Sequence, residues 1–102
     1  MRLTNSPFFD TRSRVVEATV RITNRLGIHA RPATLLVKAA QRFESRITLI
    51  RDDLEVDGKS IMDIMILAAE PDSSITIRAD GRDEDEAVQA LKKIVEDKFY
   101  ED

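Results

Sequence analysis

Residues 16–43 read VEATVRITNRLGIHARPATLLVKAAQRF, and within this run the spacing of apolar side chains changes from two to nearly four. Val16, Ala18, Val20 and Ile22 alternate with Glu17, Thr19, Arg21 and Thr23, the pattern of a strand with one face buried. Asn24 to Gly27 reads as a loop. Pro32, Leu35, Leu36, Ala39, Ala40 and Phe43 then recur at helical spacing and predict an amphipathic helix of about three turns. A half-buried strand followed at once by a helix with one apolar stripe is the start of a two-layer unit.

The rest of the chain extends that logic. Ile47 and Leu49 mark a second strand, Asp52-Asp53 a tight turn, and Leu54 to Val56 a short third strand. Asp57-Gly58 breaks the chain ahead of a short, unusually apolar helix over Ser60 to Ala69. After the Pro71-Asp72-Ser73 turn, Ile75, Ile77 and Ala79 define a fourth strand, closed by Asp80-Gly81. A final helix carries the stripe Ala87, Val88, Leu91, Ile94 and Val95. The acidic run Asp83 to Glu86 precedes it and Lys92, Lys93 and Lys98 lie towards its end, charges that suit the helix dipole and need no metal. Phe99-Tyr100 either packs or frays and is assigned no chemistry. The order is β-α-β-β-α-β-α. It predicts an α+β open-faced two-layer sandwich, in which three helices cover one face of a four-stranded, mainly antiparallel sheet. Residues 1–14 read as a polar N-terminal tail and residues 15–102 as the domain.

Composition narrows the function. The 102 residues suit a single domain, and 42% hydrophobic content supports a continuous core that hides roughly two thirds of the unfolded surface. With no cysteine there is neither a disulfide framework nor a thiolate metal site, which fits a cytoplasmic protein. A net charge of -3 gives no electrostatic case for nucleic acid. The longest apolar stretch, Ile64 to Ala69, is too short for a membrane span, and the first residues lack the apolar region of a signal peptide.

His29 is the only histidine, and it stands where the first helix begins. A helix start offers unpaired N–H groups and positive potential, which suit an anion. Both that potential and Arg31 disfavour imidazolium, so a neutral, nucleophilic ring is expected at neutral pH. A phosphoryl group taken up by the ring would meet the N–H groups of Ala30 and Arg31 and the Arg31 guanidinium. Pro32 fits the first turn, where its missing N–H is not needed. Its restriction of the preceding residue predicts an irregularity at Arg31. Gly27 would let backbone approach the ring closely. No second histidine, cysteine or metal cluster completes a hydrolase.

The run Gly27-Ile28-His29-Ala30-Arg31-Pro32-Ala33 resembles the active-site signature of the HPr family, the histidine-containing phosphocarriers of the phosphoenolpyruvate:sugar phosphotransferase system. A second run, Gly58-Lys59-Ser60-Ile61-Met62-Asp63-Ile64-Met65, is similar to the family's regulatory serine segment. The two occur in family order, roughly thirty residues apart, on the element order derived above. The resemblance implies a carrier without cofactor or enzymatic turnover. His29 accepts phosphate at Nδ1 from enzyme I, Arg31 stabilises it, Pro32 shapes the helix start, and enzyme II A components receive it. It also implies that Ser60 is the substrate of an HPr kinase/phosphorylase, although Asp63 replaces a glycine frequent in the family and would repel phosphoserine. A monomer suits a carrier that exchanges partners.

Two segments keep a second reading. Ser60-Ile61-Met62-Asp63 is also a capping pattern for the second helix. In that helix Ile61, Ile64, Met65 and Ala68 can enter the core, while Met62, Ile66 and Ala69 form a second stripe that is either further core or a docking patch. Competing functions are the nitrogen-branch paralogue of the same family, a regulatory binding module switched at Ser60, and an unrelated ligand-binding domain.

Overall fold

The computed structural model describes residues 15–101, so the expected tail over 1–14 lies outside them. Strands β1 (Val15–Arg21), β2 (Arg46–Arg51), β3 (Leu54–Asp57) and β4 (Ser74–Asp80) form one sheet in the order β1-β4-β2-β3, with every pair antiparallel. Helices α1 (Ala30–Ala40), α2 (Ile61–Leu67) and α3 (Glu84–Glu96) accompany it, and a 3-10 turn over Lys98–Tyr100 follows α3. The open-faced sandwich is therefore the architecture found. Register explains its two faces. Ala18 pairs with Ile77 and Leu49 pairs with Ile77 from the other side, so the apolar members of three strands share the inner face. On the outer face Thr19 and Thr76 share a hydrogen bond of 3.0 Å, and Arg78 donates to Glu17 at 2.7 Å. Leu36 and Ala40 of α1, Ile64 of α2, and Leu91 and Val95 of α3 complete the core.

The stripe predicted for α3 is wholly buried, whereas α2 departs from its prediction. It spans seven residues rather than ten and buries Ile64 and Leu67; Ile61, Met65 and Ala68 are exposed. Termination is the cause. Ala68 adopts φ 53°, and the Arg51 guanidinium donates to the carbonyls of Leu67 and Ala68, so the chain leaves the helix before a longer stripe can form. At the other end Ser60 is the N-cap, its Oγ accepting from the Asp63 N–H at 3.1 Å, a bond that contributes about 1 kcal/mol. The Asp63 carboxylate reaches past Ser60 to accept from the Asp57 N–H at 3.1 Å, so the box is open on that side.

Asp83 begins α3 but ties down the preceding loop instead of its own helix. Its carboxylate accepts from the N–H groups of Glu44 at 2.9 Å and Ser45 at 3.0 Å, and from the Ser45 hydroxyl. The Ser45 hydroxyl bond, with help from the Glu44 N–H, holds this carboxyl below its ordinary value. A carboxyl more acidic in the folded than in the unfolded state adds stability above its unfolded value, and that stability is lost as pH falls through the folded one. Urea midpoints should therefore drop as pH falls below about 4. Asp83→Asn should flatten that acid limb, as read from urea melts at a series of pH values.

After α3 the backbone changes hand. Lys98, Phe99 and Tyr100 have φ of 57°, 56° and 61°, three successive left-handed residues without a glycine. Such a turn costs about 1–2 kcal/mol per residue. Burial of Phe99, which is 1% exposed, opposes that strain, and the turn brings Glu101 back towards the β1–α1 loop. Of the two outcomes left open for Phe99-Tyr100, Phe99 packs, while Tyr100 stays exposed.

Candidate functional site

Helix α1 opens with His29 as its N-cap in extended conformation, and the first intrahelical bond runs from the Ala33 N–H to the His29 carbonyl at 3.0 Å. The N–H groups of Ala30 and Arg31 therefore have no acceptor within the helix, and Pro32 has no N–H to lose. The irregularity expected at Arg31 is absent. The helix runs through Arg31 and Pro32, since closure of the first turn outweighs the preference a proline imposes on its predecessor.

Gly27 is needed for a different reason from the one the sequence suggested. Its φ is 70°, and a Cβ there would lie 2.6 Å from the Ala69 carbonyl oxygen and 3.0 Å from Pro71 Cδ. The room at Gly27 is filled by the chain leaving α2, not by a ligand. Ala69 belongs to the same junction. It is 3% exposed and its carbonyl accepts from the Ile28 N–H at 2.9 Å, so it cannot join a surface stripe with Met62 and Ile66. Those two are exposed as expected, at 75% and 61%, and Ile61 and Met65 widen their patch.

Two residues that sequence reasoning missed hold the imidazole. Glu101 Oε2 lies 3.2 Å from His29 Nε2 and accepts from Asn24 Nδ2 at 2.8 Å. Asn24 also donates to the Gly27 carbonyl at 2.8 Å. Both acceptors face its amide nitrogen, which fixes the orientation of a fully buried side chain; its Oδ1 is left without a partner among the described residues. The Asn24 bond, then the His29 contact and the nearby Arg31 charge, hold the Glu101 carboxyl below its ordinary value. An ionised carboxylate only accepts, so a neutral ring held here carries its proton on Nε2 and its lone pair on Nδ1. Nδ1 makes no hydrogen bond among the described residues, and neither does the Arg31 guanidinium, which is exposed on the first turn of α1. Among the described residues the site is an oriented ring nitrogen beside two N–H groups without an intrahelical acceptor and a guanidinium whose charge also acts on Glu101.

Known proteins match this chain in sequence and in fold. The family model for the phosphorylation site of the phosphotransferase-system HPr component matches residues 16–97. The chain belongs to the HPr phosphocarrier family. The phosphocarrier protein HPr of Treponema pallidum is 46% identical over 88 residues, covering 86% of this chain and all of that protein. A crystal structure of HPr from Thermoanaerobacter tengcongensis superposes with a TM-score of 0.82 at 42% identity, covering 85% of this chain and 98% of that one. A dimeric HPr structure from the same organism gives 0.69 at 43% identity, over 82% and 97%. Membership in this family agrees with the family resemblance carried by residues 27–33 and 58–65. Among the described residues no helix is long and apolar enough to cross a membrane, and no group of acidic, histidine or cysteine side chains could hold a metal ion.

Proposed function

We propose that this chain is a cytoplasmic, monomeric phosphoryl relay that accepts phosphate on His29 from enzyme I and delivers it to enzyme II A components. The observation that carries the proposal is the Nε2–Glu101 contact, which leaves Nδ1 as the free nucleophile at the helix start. In the uptake step the Nδ1 lone pair attacks the phosphorus of the charged donor, the donor's phosphorus–nitrogen bond breaks, and the Nδ1–phosphorus bond forms. The N–H groups of Ala30 and Arg31 and the Arg31 guanidinium then bond the phosphoryl oxygens. Incubation with enzyme I and phosphoenolpyruvate should give one acid-labile, base-stable phosphate. Offering the charged protein to sugar-branch and nitrogen-branch enzyme II A proteins identifies which branch it feeds. Failure to take up phosphate refutes the relay.

Arg31 has more to bond after transfer than before, because only then does a dianion lie beside it. Arg31→Ala should slow transfer about tenfold or more with little change in folding, measured as the initial rate of phosphate uptake. Lysine should restore part of the rate, being a point charge without the planar fork.

For docking we assign the patch of Met62 and Ile66, joined by Ile61 and Met65. Ser60 caps the helix that carries this patch, and an HPr kinase/phosphorylase would add charge there. The helix dipole favours such a charge and Asp63 opposes it. Ser60→Asp should slow charging by enzyme I about fivefold relative to Ser60→Ala at fixed ionic strength, even though the aspartate can still cap the helix and the alanine cannot. Equal rates would leave Ser60 as a helix cap alone.

A further inference from the structure

The exposed face of α2 is apolar, and its two sulfur atoms are chemically the most reactive part of it. Met62 is 75% exposed and Met65 42% exposed, one helical turn apart on neighbouring positions of the surface. Neither is among the buried residues of α2, which are Ile64 and Leu67. The chain has no cysteine, and its only other methionine is Met1, so these thioethers are the readily oxidised groups of the domain.

We propose that Met62 and Met65 form a reversible oxidation site, taking oxygen from hydrogen peroxide or a related peroxide and thereby weakening docking through α2. The inference rests on the docking role given above to this patch. In the step the thioether sulfur attacks peroxide oxygen, the oxygen–oxygen bond breaks, and a sulfur–oxygen bond forms. Sulfur loses two electrons, and the other oxygen leaves as water from hydrogen peroxide or as an alcohol from an organic peroxide. Return requires a sulfoxide reductase, whose two thiols supply the electrons and end as a disulfide. The sulfoxide oxygen is a strong acceptor set between Ile61 and Ile66, where a docking partner offers apolar surface, so binding would bury it unpaired.

Position makes the effect specific. The chain leaving α2 is tied to the His29 loop by the Ala69 carbonyl and the Ile28 N–H, so the helix and the imidazole lie within reach of one partner. The imidazole itself is held from elsewhere, by Glu101 and Asn24, and its intrinsic reactivity should not change.

The test charges the full chain in two ways after graded peroxide treatment, with the added oxygen located by peptide mass. With enzyme I and phosphoenolpyruvate the initial rate should fall about tenfold. With phosphoramidate, a small donor that needs no docking, it should stay the same. A methionine sulfoxide reductase should restore the first rate. Met62→Leu with Met65→Leu, read against its own untreated rate, should lose the sensitivity. The proposal is overturned if oxidised protein is charged by enzyme I at the untreated rate, if the double variant stays sensitive, or if phosphoramidate charging slows in parallel. Should untreated protein refuse phosphate from enzyme I, the docking reading fails first and this inference with it.

Discussion

His29→Ala should take up no phosphate from enzyme I and phosphoenolpyruvate, and should remain folded. The loss is complete because the chain holds no other imidazole, so no neighbouring side chain can form the same acid-labile bond. The fold survives because the ring contributes little to it. His29 is the N-cap of α1 by backbone position only and makes no side-chain cap bond. Its one hydrogen bond, to Glu101, is partly solvated, and Glu101 keeps its bond to Asn24. Stability should change by about 1 kcal/mol or less. A urea melt near that of the parent, together with a blank in the acid-labile phosphate assay, is the expected pair of results. Acid-labile phosphate on the variant would remove His29 from its role.

The second large effect falls on stability. Phe99→Ala should destabilise the domain by about 3 kcal/mol, a large share of the stability that a domain of this size possesses. That figure is at the lower end for deleting a buried phenyl ring, because the left-handed turn that presents Phe99 to the core can relax once its anchor is gone. The urea midpoint measures the loss. Amide exchange should locate its second consequence, loss of protection at residues 98–101. A midpoint unchanged by the substitution would mean that the ring is not buried in solution.

Apolar spacing carried most of this architecture. β1, α1, β4 and α3 each have a periodic stripe long enough to select helix or strand, and their burial follows it. The stripe fails for α2 because seven residues give too few repeats to choose a face. The choice is made by Arg51, sixteen positions or more from the carbonyls it caps in sequence. At the site, His29, Arg31 and Pro32 were legible because the chemistry is local to one helix start. Asn24 and Glu101 were not. Glu101 lies 72 positions from His29 and 77 from Asn24, and reaches them only through a backbone turn that no residue type announces. Gly27 was singled out correctly and explained wrongly, since the Ala69–Pro71 segment that needs its space is also distant in sequence.

The left-handed turn has an optical consequence. Tyr100 is the only tyrosine, there is no tryptophan, and its ring is 65% exposed one residue before Glu101. Tyrosine emission from the whole molecule therefore originates beside the residue that steadies the imidazole. A change at the site that moves the backbone at Glu101 should shift this emission, whereas a change confined to the outer face of the sheet should leave it as it was. The protein thus carries an unlabelled reporter of its own active end.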